Sequence, residues 1–316
     1  MTIETAEPGR ALAESRRARA NASSDHGQRM RAIALMCAAT IFFAGLDTSA
    51  KSLSGVLPAV EIVWARYVAA AIVGIVAVRP LTHPGVFRSQ RPILQIVRSL
   101  ALLASTTTNF LALRHLQLAE TSTINFLTPL FVVLLAGPLL GEWAGKSRLI
   151  AVAIGFIGVV VATGPGTSAF QPIVIVAIAG VVCNAGYALT TRMLASTDSP
   201  KTTLIWTPIA GVVLLTPALP FLWVSPPTLS ALAIMIGMGF FASLGHWLLI
   251  LAHERAPASV LTPFTYTQLL WMIISGFLVF GDRPTGAVLL GAGIVVGCGL
   301  YLVGRERAGG GRRRVG

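Results

Sequence analysis

The chain has 316 residues, 54% of them hydrophobic and 11% charged, with a mean hydropathy of +0.76. A soluble domain is about 45 to 50% apolar and about a quarter charged, so a water-soluble protein is excluded and the apolar residues must face lipid. The formal net charge of +12 would point to nucleic acid in a soluble chain; here the Arg and Lys lie in tails and short connections rather than on an aromatic-bearing face, and no nucleic-acid partner is expected.

Residues 1–31 are polar, carry Arg10, Arg16, Arg17, Arg19 and Arg29, and contain no apolar stretch of their own, which predicts a disordered basic tail. A spanning helix needs about 20 mainly apolar residues. Ten such stretches follow, near 32–53, 58–78, 93–113, 118–140, 147–164, 172–194, 202–223, 229–251, 257–280 and 285–304. The length of the first, and the nine behind it, favour a retained helix over a cleaved signal. Short connections rich in Pro and Gly separate the spans, among them Gly164-Pro165-Gly166, Ser225-Pro226-Pro227 and Gly281-Asp282-Arg283-Pro284. Residues 305–316 form a second basic tail.

With the N-terminus inside, the tails and the even-numbered connections hold 19 of the 24 Lys and Arg, while the outside receives only Lys51, Arg114 and Arg283; Arg66 and Arg98 lie within spans. This asymmetry predicts both termini on the cytoplasmic side of the membrane.

An internal repeat accompanies this layout. Ala112 to Glu142 aligns without a gap on Ala252 to Asp282, closing on Gly141-Glu142 in one case and Gly281-Asp282 in the other. The offset of 140 residues contains five spans, and an odd number makes the second half enter from the opposite side. The predicted fold is therefore an all-α integral membrane protein of ten helices in two inverted five-helix repeats, residues 32–166 and 167–304. The stretch ALRHLQLAETSTINFLTPLFVVLLAGPLLGE, residues 112–142, with RLIAVAIGFIGVVVATGPG, residues 148–166, resembles the end of the first repeat of EamA-type members of the drug/metabolite transporter superfamily. RAPASVLTPFTYTQLLWMIISGFLVFGDRPT, residues 255–285, is similar to the second-repeat counterpart, with Asp282 where that family usually has Glu. The resemblance implies a ten-helix carrier, favours export, and leaves open a cargo among amino acids, nucleobases, vitamins, amines and drugs.

Ionisable side chains inside a bilayer are costly and are by default functional candidates. At about 1.5 Å per residue, Asp47 lies roughly 9 Å from the outer end of the first span and Arg66 roughly 12 Å from that of the second, so the two stand at matching depth. Either they pair across the outer half of a cavity, with Asp47 taking up a proton in transport, or Asp47 pairs with Lys51 one turn away and Arg66 is satisfied by backbone carbonyls. Arg98, nearer the inner end of its span, is expected to snorkel to the interface. Polar residues share helix faces at Arg98, Ser105 and Asn109, at Thr121, Asn125 and Thr128, and at Thr262, Thr265 and Tyr266; these faces form either interhelical contacts or the wall of a solvated cavity. Tyr67, Tyr187, Trp206, Tyr266 and Trp271 offer rings for a flat or cationic ligand, or else belong to the interfacial belt. His246 is the one mid-span His, a proton carrier or a packing residue, and Gln268 is placed with this set.

Gly-Lys-Ser at 145–147 is preceded by Leu140 where a phosphate loop needs Gly, and by a membrane span rather than a strand. No cofactor or metal motif and no catalytic constellation stands out, so the chain is not expected to be an enzyme. Gly293 and Gly297 form a G-x-x-x-G that permits a homodimer. The sequence thus predicts a secondary transporter, an exporter by preference, moving small metabolites such as amino acids or amines by alternating access. An intramembrane enzyme or a non-transporting sensor would share the composition without accounting for the five-plus-five layout.

Overall fold

The computed structural model of the chain describes residues 7–78, 84–141, 143, 145–164, 171–256, 261 and 264–312. In the first half these form α1 (Glu7–Leu53), α2 (Ala59–Val78), α3 (Pro92–Leu113), α4 (Leu118–Asn125), α5 (Thr128–Leu140) and α6 (Lys146–Thr163). The second half holds α7 (Ile173–Leu194), α8 (Pro200–Trp206), α9 (Ile209–Leu215), α10 (Leu219–Leu222), α11 (Leu229–Arg255), α12 (Thr267–Ser275) and α13 (Gly286–Arg312). Among the described residues seven helical segments are long and apolar enough to cross a membrane, and three shorter apolar ones occupy 149–163, 267–280 and 286–301. Glu142 and Thr262, both singled out from the sequence, lie outside the described residues.

Residues 7–31 continue α1 as helix. Ala, Leu, Glu and Arg dominate 10–20, all strong helix formers, and extending an existing helix avoids the nucleation cost that a free peptide would face.

Breaks within the spans have local causes. Pro129 has no N–H to offer the Asn125 carbonyl, so the helix pauses between α4 and α5 and the Thr128 hydroxyl donates to that carbonyl instead, at 2.7 Å. Pro208 likewise has no N–H for the Leu204 carbonyl and separates α8 from α9; beside it the Thr207 hydroxyl joins its own N–H on the Thr203 carbonyl, at 2.7 Å. Gly141 and Gly281, one repeat interval apart, close their helices with φ of 72° and 70°, a left-handed cap that a β-carbon would disfavour.

The packing follows the 140-residue offset. α1 runs along α11, and α7, the counterpart of α1, runs along α3, the counterpart of α11; α6 packs on its own counterpart α13, α2 on α9, and α4 on α12. The rings of Phe126 and Tyr266, again 140 residues apart, meet edge to face with centroids 4.9 Å apart. Large apolar side chains such as Ile72, Ile93, Phe221, Leu229, Ile236 and Leu278 remain exposed on the outside of the bundle, as a lipid-facing belt requires.

A polar clasp joins the halves beyond the helix ends. Asp198, 8% exposed, accepts from the Ser89 hydroxyl, from the Gln90 N–H at 2.9 Å and from Gln95 Nε2 at 2.8 Å. Burial alone would push this carboxyl up, but the three donors and the nearby Arg91 charge outweigh it and hold it below the usual carboxylate range. A carboxyl depressed on folding stabilises the fold above its unfolded pKa and loses that contribution as pH falls through the folded value. Asp198→Asn sets an amide donor against existing donors and is expected to cost about 1–3 kcal/mol. Thermal unfolding in detergent checks this: the gap to the parent chain is expected at pH 7 and to narrow once pH falls below about 4.

Candidate functional site

A cavity of about 430 Å³ opens between α2, α3, the α8–α9 junction and α11, and so draws on both halves. From α2 it takes Arg66, Tyr67, Ala70, Val73 and Gly74, successive turns of one face. Leu102 of α3, Leu204, Thr207 and Pro208 of the second half, and Phe240, Ser243, Leu244, His246 and Trp247 of α11 complete it. Its walls are mainly apolar, with a few polar groups at fixed positions, as small-molecule sites commonly are. Two of these, Ser243 Oγ and His246 Nδ1, are buried without a hydrogen-bond partner among the described residues. Such atoms cost free energy unless a ligand or water meets them.

The cavity extends from Arg66 towards the C-terminal end of α2 and the N-terminal end of α8, rather than into the other half of the bundle as the matching depth of Asp47 and Arg66 predicts. The guanidinium of Arg66 donates from Nη1 to the Thr106 hydroxyl at 2.8 Å and lies near the rings of Tyr67 and Phe110, 5.8 and 5.7 Å from their centroids. Tyr67 reaches the same hydroxyl at 3.2 Å.

Asp47 stands apart from this. Its Oδ1 accepts from Asn109 Nδ2 at 3.2 Å, and Asn109 Oδ1 accepts in turn from Asn125 Nδ2 at 2.8 Å. The Thr128 hydroxyl accepts from Asn184 Nδ2 at 3.2 Å nearby in the chain. Arg66 attracts the Asp47 carboxylate through space, yet no Asp47–Arg66 ion pair forms within 4 Å among the described residues. The Asp47–Lys51 alternative is not realised either. Lys51 Nζ donates to the Leu116 carbonyl at 2.6 Å and lies 3.6 Å from Asp282, tying α1 to the α3–α4 and α12–α13 connections.

Arg98 does not snorkel. It is 3% exposed, and donates from Nε to the Thr191 hydroxyl at 2.7 Å, from Nη1 to the Thr207 hydroxyl at 2.9 Å, and from Nη2 to the Tyr187 hydroxyl at 3.0 Å. The Tyr187 ring lies 4.6 Å from its guanidinium carbon. Hydroxyls on α7 and at the α8–α9 break are within reach, so exit to the interface would forfeit charge-assisted bonds worth about 1.5–3 kcal/mol each. One face of α3 therefore organises the region: Arg98, Leu102, Thr106 and Asn109 follow one another at spacings of four, four and three.

The remaining sequence candidates are not cavity-lining among the described residues. Trp206 donates from Nε1 to the Phe87 carbonyl at 3.2 Å and anchors the short 3₁₀ turn Pro84–Phe87. Tyr266 packs on Phe126, Gln268 is half-buried on α12, and Trp271 sits against the main core with Nε1 buried and unpartnered. Thr106, Thr207, Ser243 and Asn184 were not singled out from the sequence. Hydroxyls are common in apolar helices, and only Asn184, a lone amide in the middle of α7, carried a readable signal.

The EamA-like transporter family model matches the chain twice, over residues 30–164 and 171–305. The chain belongs to that family. It is thus a multi-pass membrane protein of the drug/metabolite transporter type. A riboflavin transporter of Vibrio cholerae serotype O1 is 32% identical over 174 residues, 54% of this chain and 57% of that protein, so the match spans little more than half of its length. An S-adenosylmethionine uptake transporter of Rickettsia bellii is 26% identical over 220 residues, 70% of this chain and 75% of its own. A pseudopaline exporter of Pseudomonas aeruginosa is 23% identical over 270 residues, covering 84% and 93%. These three relatives carry names of transporters, one for uptake and one for export.

Proposed function

We propose that the chain is a secondary transporter of the bacterial inner membrane, with ten spanning helices in two inverted halves, both termini in the cytoplasm, and alternating access to the cavity at Arg66. The observation that carries this is a cavity lined by both halves, whose one guanidinium faces mostly apolar walls. The double family match and the invariance of the helix pairing under the 140-residue offset support the inverted layout, and the excess of Lys and Arg on one side supports the orientation. The cargo is a small metabolite, an amino acid or a related amphipathic compound, that offers an acceptor to Arg66. A simple amine without such a group fits this cavity poorly. Export is the preferred direction, and the pseudopaline exporter matches the chain over the greatest share of its length of the three relatives. Gly293 and Gly297 border an open groove beside α6, and a β-carbon added to either would meet no neighbouring atom within 4 Å, which suits a second copy of the chain there.

Flux in sealed proteoliposomes tests the reading. A panel of amino acids, amines, nucleobases and vitamins is loaded on one side, with a pH gradient imposed or absent. Saturable, counterflow-competent movement of at least one acceptor-bearing solute is the expected result. Loss of the vesicle seal is expected to abolish accumulation, whereas activity that survives in detergent would instead mark an enzyme.

A further inference from the structure

The charges around the cavity do not balance, and the imbalance has a sign. Two guanidiniums serve this region. Arg66 lines the cavity and spends one of its N–H donors on Thr106; a guanidinium has five. Arg98 lies behind the wall, holding Thr207, which itself lines the cavity. The fields of both reach His246 on the opposite wall. Every hydrogen bond described for either Arg ends on a hydroxyl or a carbonyl, so neither is neutralised by a carboxylate in contact.

The other described acids within or beside the spans have other neighbours. Glu61, fully buried, accepts from the Val224 N–H through Oε2 while its Oε1 has no partner among the described residues; Glu120 accepts from the Gln117 N–H; Asp198 is held in the clasp; and Asp282 faces Lys51. Asp47 is drawn to Arg66 through space, and it is bound to Asn109 on the other side. Among the described side chains, two cations against one carboxylate leave a positive excess in a low-dielectric setting, where charges are tolerated chiefly when something opposite completes them.

We infer, building on the transport reading above, that the solute itself is the missing counter-charge: the cavity takes an organic anion, with a carboxylate or comparable oxyanion on Arg66 and an apolar body along Val73, Leu204, Phe240, Leu244 and Trp247. Arg98 is a positioning residue. It fixes Thr207 and Tyr187 and adds its field without touching the solute. The fork of Arg66 suits a carboxylate with two acceptor oxygens. The unpartnered Ser243 hydroxyl and His246 Nδ1 across the cavity are placed to meet the solute's remaining polar atoms.

Three probes with one ring and different charge test this: phenylacetate, phenylacetamide and phenethylamine. Binding to the purified full-length chain in detergent is read by thermal shift and by quenching of tryptophan fluorescence. Phenylacetate is expected to bind at least about tenfold more tightly than phenethylamine, the order of one charge-assisted hydrogen bond. In Arg66→Gln this ratio is expected to fall towards one. Should that variant fail to fold, Arg98→Lys, which keeps the charge but not the fork, is expected to preserve the preference for acid while weakening all three probes. Equal or tighter binding of the amine, a ratio unchanged in Arg66→Gln, or no binding of the acid at millimolar concentration would each overturn the inference. The same probes in sealed proteoliposomes separate it from the transport reading: acid that binds selectively and does not cross sinks transport and leaves the anion site standing, whereas an amine that crosses in place of the acid sinks the anion site and leaves transport standing.

Discussion

Arg66→Gln is expected to lower flux of the transported solute by about 10- to 100-fold, the range that corresponds to losing charge-assisted bonds of about 1.5–3 kcal/mol. The variant keeps an amide able to bond the Thr106 hydroxyl, so the α2–α3 contact is retained and the fold is expected to survive. The loss is expected to appear mainly as weaker apparent affinity, because Arg66 lines the cavity. Arg66→Lys separates charge from geometry. A point charge on a flexible stem restores part of the attraction but not the bidentate fork, and an intermediate flux is expected. Parental flux in Arg66→Gln, measured in proteoliposomes at equal protein insertion, would remove this residue from the site.

The second large effect concerns stability. Where α6 crosses α13, a β-carbon built on Gly291 would collide with the Gly158 carbonyl oxygen and stand 2.6 Å from the Ala162 side chain. A β-carbon on Gly158 would in turn meet the Gly291 carbonyl at 2.9 Å. The obstacle is backbone, which cannot rotate aside, so the two helices would have to separate along their length. Close backbone approach through small residues is a main source of helix association in lipid, where apolar contact by itself favours neither partner. Gly291→Ala is therefore expected to destabilise by about 1–3 kcal/mol, read as a lowered unfolding midpoint in detergent. Gly293→Ala, two residues away and with nothing within 4 Å, is expected to leave the midpoint unchanged or slightly raised. Equal behaviour of the two would contradict the crossing.

The sequence does not reveal this crossing. The visible motif is the G-x-x-x-G of Gly293 and Gly297, which borders the open groove, whereas the close contact between α6 and α13 uses Gly291 and Gly158, which lie on different helices. The seven long spans among the described residues were readable because lipid demands long apolar runs, and the repeat was readable because Gly141 and Gly281 each sit at a left-handed cap that other residues resist. The site was half legible. Arg66 and His246 stand out because ionisable groups are rare in membrane helices, and both line the cavity. Asp47 stands out for the same reason, and Asn109 as part of a polar helix face, but the two bond to each other on the other side of Arg66. Depth along a helix can be counted from sequence, whereas the direction in which a side chain points depends on helix rotation, and that is fixed by neighbours. Arg98 illustrates this. Near the end of its span, snorkelling was the simple expectation, and the hydroxyls of Thr191, Thr207 and Tyr187, supplied by the second half of the chain, hold it inside.

The account rests on one claim, that the cavity at Arg66 opens in turn to both faces of the membrane. Ser243, on its α11 wall, reports on it directly. In a chain with Cys37, Cys183 and Cys298 replaced, Ser243→Cys is exposed to a membrane-impermeant maleimide from one face at a time, using vesicles of defined orientation. Labelling from either face, slowed from both by the transported solute, is the predicted result. Labelling confined to one face under every condition, with the solute saturating, would contradict alternating access and leave a binding pocket that does not carry its ligand across.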